Sequence, residues 1–337
     1  MKRLLAALLI GLAVPAAHAA ECVGSNLLNA LPEADRAAIR SATEAVPYHQ
    51  GTLWQASKDK ARITMVGTYH FDDPRHAATR ARLAPLIAEA DALLVELGPE
   101  EEAELKAAML ADPTLMMDPT GPTLPERLDP EDWKAVSAAL ADRGIPAIMT
   151  AKMRPWYVSM MMGMSPCVLQ QVAKTGAANG LDWQLMAEAE KADIPVVALE
   201  PWDTVLTMFD GLTPQEEVDM IVYTLPAAQH ADDYATTMTD AYFAGDVWQI
   251  WEFGRIDAYR NSGLPKAEVD RLTDEAQVLL MDQRNQSWIA PLTETAEGAA
   301  TRGKGIVAAF GALHLPGEQG ILRLLEKDGW TIERLER

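Results

Sequence analysis

The strongest constraint on the fold is an alternation. Short runs of β-branched and aliphatic residues recur between amphipathic stretches of helical spacing, the pattern of βαβ units. Residues 62–66 (RITMV) read as the first strand, ending at Gly67. From about Arg75 to Ala90, residues Ala78, Arg82, Leu83, Leu86 and Ile87 fall at helical spacing, and residues 92–97 (ALLVEL) read as a second strand. Two strands joined by one helix are expected to lie parallel, with a right-handed crossover. A helix over about 130–141 precedes a short strand at 145–149, and a helix over 182–191 precedes a strand at 194–199. The last unit sets residues 305–310 before Gly311, with a helix over 318–327 and an edge strand at 331–335. Between about 204 and 301 the signals are helical throughout. The expected fold class is α/β: a mainly parallel sheet flanked by helices, with a helical subdomain over about 204–301.

The first residues speak to compartment. Lys2 and Arg3 precede an apolar stretch from Leu4 to Val14, and Ala17-His18-Ala19 supplies a small-x-small cleavage pattern. The stretch is too short for a spanning helix, so residues 1–19 read as a secretory signal peptide and 20–337 as one domain, periplasmic or secreted, without a stable membrane anchor. The formal charge of the 337-residue chain is -20. Such acidity argues against nucleic acid and anionic lipid as partners. Two cysteines, Cys22 and Cys167, are expected to form a structural disulfide in an oxidising compartment.

Two segments share one form: Gly67-Thr68-Tyr69-His70 and Gly311-Ala312-Leu313-His314. Each carries a histidine three residues after a glycine, where a strand gives way to a loop. The glycine is expected to let the backbone turn sharply, aiming the imidazole out from the carboxyl edge of the sheet, where open α/β sheets bind ligands. Glu96, between Val95 and Leu97, is a carboxylate at the same edge, expensive to bury unless it is paired or bound to a cation. Together His70, Glu96 and His314 make a candidate first shell for a divalent metal, with positions left for water and substrate. Glu200 repeats the situation at the end of VVALE: it either pairs with a cation such as Arg154 or takes a proton in catalysis. Arg284 offers a planar fork of donors for a developing oxyanion, and Asn285 either orients it or caps a turn. The methionines at 160, 161, 162 and 164 resemble a copper site but read better as core, as do Trp202, Trp248 and Trp251. Asp72, Asp73 and His76 lie close to His70 in sequence and could supply a further ligand, but DDPRH also reads as a plain turn followed by a helix start.

GTYH, LLVELGPE, RPWYVSM, GLDWQLMAEAEKADIPVVALEPWD, QRN and GALHLPGEQGILRLLEKDGW, in this order from about Tyr48 to Leu335, resemble the successive blocks of the TraB/GumN family. The resemblance implies a fold similar to the erythromycin-esterase and ChaN-like group. Animal Tiki proteins, which resemble this family, are metal-dependent proteases that use the two G-x-x-H histidines and a glutamate. By motif those are His70, His314 and Glu96, with Arg284 and Asn285 in the arginine-asparagine block. The resulting expectation is a metal-dependent hydrolase (manganese, cobalt or zinc) acting on a peptide or small-molecule substrate. A non-catalytic binder of metal or haem that uses the same histidines is the alternative.

Overall fold

In a computed structural model, the described residues are Cys22 and 24–335. The signal-peptide reading lies outside them. They form a six-stranded sheet of order β4-β3-β5-β2-β1-β6, made of β1 (Leu53–Lys58), β2 (Ala61–Thr68), β3 (Leu93–Val95), β4 (Val196–Ala198), β5 (Ile306–Gly311) and β6 (Thr331–Arg334). The four strands β4, β3, β5 and β2 are parallel to one another, whereas β1 is antiparallel to both β2 and β6. The mainly parallel α/β sheet is therefore as the alternation predicts, with β6 at an edge.

Two expected details change. The strand at 62–66 is the second of the sheet, not the first. It is preceded by β1, which it meets in a hairpin whose turn residue Asp59 adopts a left-handed conformation (φ 52°) that aspartate tolerates. LWQASK carries no β-branched residue, so it lacks the usual compositional mark of a strand. The strand expected at 145–149 is instead a helical turn, Ala147–Thr150, entered from Pro146. Ile148 and Met149 there are exposed, so the apolar run has no sheet to join.

Alternation along the strands builds two cores. On one face Ile63, Met65, Leu94, Ile306, Ala308 and Phe310 pack against Trp288, Leu292 and Ala296 of the helix Gln283–Thr301 and against Leu322 and Leu325 of the helix Ile321–Lys327. On the other, Val66, Leu93, Val95, Val307 and Ala309 meet Leu83 and Ile87 of the helix His76–Glu89 and Leu181, Leu185 and Ala189 of the helix Leu181–Lys191. Both faces of the central strands are thus covered, which explains why their sequences read as nearly continuous apolar runs.

Between 204 and 301 the described elements are all helical, but the last, Gln283–Thr301, belongs to the sheet's own helix layer. A separate core joins Leu124, Val136, Leu140, Met153, Val158 and Met162 to Ile221, Leu225 and Ala228 of the helix Pro214–Gln229. Met162 sits in that core and Met161 packs against it, in keeping with a packing role. Cys22 and Cys167 are bridged, with 5.6 Å between their Cα atoms, fastening the start of the described chain to the helix Pro166–Thr175. Among the described residues no helix is long and apolar enough to cross a membrane.

Candidate functional site

Strand order decides which side chains meet. The last parallel strand, β5, inserts between β2 and β3, although β2 and β3 are consecutive in their βαβ unit. Glu200 after β4, Glu96 after β3, Gly311 at the end of β5 with His314 just beyond it, and His70 after β2 therefore fall side by side along one carboxyl edge. Residues from four distant stretches of the chain converge there without any long-range sequence signal beyond the strands themselves.

Neither glycine of the G-x-x-H pair turns the chain through a left-handed φ; that of Gly311 is -48°. The reason for glycine at 311 is space. A Cβ there would lie 3.1 Å from both Glu96 Oε1 and His70 Nε2, inside the centre itself. The Gly311 N–H donates to Glu96 Oε1 at 2.5 Å.

Arg284 is the hub. Its Nε and Nη2 donate to the two oxygens of Glu200 at 2.8 and 2.7 Å, and Nη2 also donates to Glu96 Oε2 at 2.7 Å. Nη1 donates to the Leu280 carbonyl at 3.1 Å and lies 3.3 Å from His314 Nε2. The guanidinium stands 4.9 Å from the ring of Trp288. The backbone just before it forms a π-helical turn, Val278–Asp282, with the Gln283 N–H donating to the Val278 carbonyl; such turns are rare and concentrate at functional sites. Arg284 thus makes no surface pair with Asp282, and Glu200 has found its cation in Arg284 rather than Arg154, which donates to the Thr114 carbonyl. With both oxygens held by one guanidinium, Glu200 anchors Arg284 and is not free to act as a base.

His314 is buried (5 % exposed). Asn285 Nδ2 donates to the Gln319 carbonyl at 2.9 Å, which turns its Oδ1 toward His314 Nδ1 at 2.6 Å. Asn285 therefore orients His314, not Arg284. Nδ1 carries the hydrogen, and Nε2 keeps its lone pair toward Arg284 and Glu96, whose Oε1 is 3.8 Å away. Burial pushes the His314 pKa down to about 4, with the charges of Arg284 and His70 adding to it, so the ring is neutral near pH 7. For Glu96, burial works to raise the pKa, but His314 in its protonated form at low pH, the charges of Arg284 and His70 and the Gly311 N–H outweigh it and hold it at about 2. Burial, with Glu96 nearby, pushes the Glu200 pKa up against the opposing effect of Arg284.

His70 is the solvent-facing member, its side chain 54 % exposed. Its Nδ1 lies 3.4 Å from Asp182 Oδ2, the partner that the sequence reading missed. Asp182 comes from the first turn of the helix Leu181–Lys191, which is seated against His70 by Gly180, where a Cβ would come within 2.3 Å of the His70 carbonyl carbon. The Leu181 N–H donates to the Tyr69 carbonyl beside it. Desolvation works to lower the His70 pKa, but the Asp182 hydrogen bond, its charge and that of Glu96 prevail and raise it to about 9. Asp182→Asn keeps the shape and removes the charge, so the His70 pKa is expected to fall toward the ordinary imidazole range. An NMR titration of the His70 ring checks this; an unmoved pKa would show that Asp182 does not control it.

The three residues read as metal ligands do meet, and the donor chemistry suits a divalent ion, with each Nδ1 turned to a hydrogen-bonding partner and each Nε2 inward. Their arrangement as folded does not fit one, because Arg284 stands among them. Among the described residues, no group of three or more histidine, cysteine, aspartate or glutamate side chains is placed to hold a metal ion. Hydrogen-bonded at both ring nitrogens, His314 likewise offers no lone pair to a haem iron. His76 is buried among Tyr69, Tyr242 and Phe243 with Nε2 near the Phe71 carbonyl, and Asp73 pairs with Arg75, so the DDPRH segment is structural. Trp248 is buried and donates to Glu252, again a core role.

A mainly parallel α/β sheet carrying a histidine, carboxylate and arginine cluster along its carboxyl edge defines the class of protein. Within that class the chain belongs to the TraB/PrgY/gumN family, whose model matches residues 52–334 and so takes in every residue of the cluster. No curated protein matches the chain in sequence.

Proposed function

We propose that this protein is an exported hydrolase acting on a peptide or ester-like bond of a peptide or small-molecule substrate, with His70 as its proton-transfer group. The observation that carries this reading is the His70–Asp182 pair: a carboxylate behind Nδ1, Nε2 turned to the centre beside Gly311 and Glu96, and half the side chain open to arriving substrate. A histidine held in one tautomer by a carboxylate is the standard arrangement for moving a proton during acyl transfer.

In this scheme His70 Nε2 takes a proton from water as the water oxygen bonds to the carbonyl carbon. It returns the proton to the leaving group as the bond from carbon to that group breaks. Arg284 and neutral His314 set the local field, and the positive charge of Arg284 opposes the negative charge that develops on the carbonyl oxygen. No step is routed through a divalent ion, since the cluster as folded does not fit one. The test is hydrolysis of a peptide library and of chromogenic esters by the purified mature protein, with and without chelator. Cleavage that disappears in His70→Ala supports the assignment, and cleavage of equal rate in that variant would defeat it.

A further inference from the structure

We infer that Arg284 is the resident cation of this centre and occupies the coordination position a divalent ion would need, so that the centre is complete without a metal. The argument turns on lone pairs. A neutral imidazole has one, on the nitrogen without hydrogen. Asn285 fixes the hydrogen of His314 on Nδ1, leaving Nε2 as the only atom with which His314 can ligate, and Arg284 Nη1 faces that atom at 3.3 Å. Glu96 is engaged at both oxygens, by the Gly311 N–H and by Arg284 Nη2. A metal bound to His314 and Glu96 would have to displace the guanidinium from both.

Arg284 is not poised to leave. Nε, Nη1 and Nη2 all have acceptors, Glu200 grips it with two oxygens, Trp288 lies against its face, and its side chain is only 17 % exposed. Moving it away would strand Glu200, which is buried with Arg284 as its cation and has no alternative ion-pair partner on the described chain. A doubly charged ion beside an unmoved Arg284 would meet strong repulsion in a site shielded from water. The two things a metal would need here, a free imidazole lone pair and a carboxylate short of positive charge, are thus both already taken up by an internal cation.

The experiment is cobalt binding by chelator-treated full-length protein, read by visible absorption bands of the bound ion and by calorimetry with Co²⁺, Mn²⁺ or Zn²⁺ alone. Wild-type protein is expected to show no cobalt bands that depend on His314. Arg284→Met, which keeps bulk but removes charge, is expected to gain a one-to-one cobalt site, binding at least tenfold tighter than wild type, and to lose it again in the Arg284→Met, His314→Ala double variant. Circular dichroism checks that each variant folds. Should Arg284→Met fail to fold, Arg284→Gln, which is uncharged but can still hydrogen-bond Glu200, replaces it with the same expectation. One equivalent of metal on the wild type that vanishes in His314→Ala would overturn the inference, as would a folded Arg284 variant that gains no cobalt site. Because these readouts are of binding, they stand or fall separately from any hydrolytic activity.

Discussion

His70→Ala is expected to lower kcat/KM by roughly 10²–10⁴-fold, the usual worth of a positioned proton-transfer group, with little change in thermal stability. Stability should hold because the side chain is half-exposed and its one charged partner, Asp182, stays near the protein surface side of the centre with a side chain 21 % exposed. The sign of the pH dependence follows from the direction of the shift. His70 holds its proton up to about pH 9, and a general base must first lose that proton. In the wild type, kcat/KM should therefore climb with pH through neutrality and level off near 9, rather than peak near the ordinary histidine range. Asp182→Asn should move that limb to lower pH. His314 cannot produce the limb, since its own pKa lies near 4 and it is already neutral across the range. A flat profile between pH 6 and 10, or a limb unchanged in Asp182→Asn, would remove His70 from the role. The linked effect on stability runs the other way: a raised pKa in the folded state stabilises below the unfolded pKa of about 6.5 and the contribution fades as pH rises through 9. Exposure of the ring to water keeps that contribution small.

The parallel strands were legible because they are buried on both faces, so that burial writes itself into composition as apolar runs such as those of β3 and β5. β1 was not legible, because a strand placed near the sheet's antiparallel edge has half-buried positions and accepts Gln55, Ser57 and Lys58. The run at 145–149 misled for the converse reason: apolar residues at exposed positions carry a strand's composition without a strand's neighbours. Within the site, His70, Glu96 and His314 could be read from local punctuation, a glycine and a histidine after a strand or a carboxylate inside an apolar run. Asp182 could not. It sits in the first turn of a helix, where an acidic residue is ordinary and needs no function. The only local sign of its role is Gly180, which admits the His70 backbone. The placement of Arg284 was equally hidden, since an arginine on a helix declares its charge but not which carboxylates it will reach across the fold, and that is settled by β5 entering between β2 and β3.

Trp288→Ala is expected to destabilise the protein by about 3–5 kcal/mol, a fall in Tm of roughly 10 °C, and to disorganise the centre as well. Trp288 is fully buried and belongs to the core that joins the helix Gln283–Thr301 to the sheet. Its ring packs against Phe310 of β5 at 5.7 Å and against His314 at 4.5 Å, and Arg284 lies over it at 4.9 Å. One side chain is thus the floor of both the core and the site. Deleting it leaves a cavity that the flanking helix and strand can close only in part, which is where the large cost arises. The same cavity frees Arg284 and His314 to shift, so the downward shift of the His314 pKa should weaken. Trp288→Phe retains an aromatic plate and should lose less than half as much stability. Thermal denaturation of the three proteins, with ring titration of His314 in each, separates the two consequences. A loss under about 1 kcal/mol in Trp288→Ala would mean that the layer beneath the centre is not held by this contact, and an unshifted His314 in a clearly destabilised variant would mean that Asn285 alone fixes the ring.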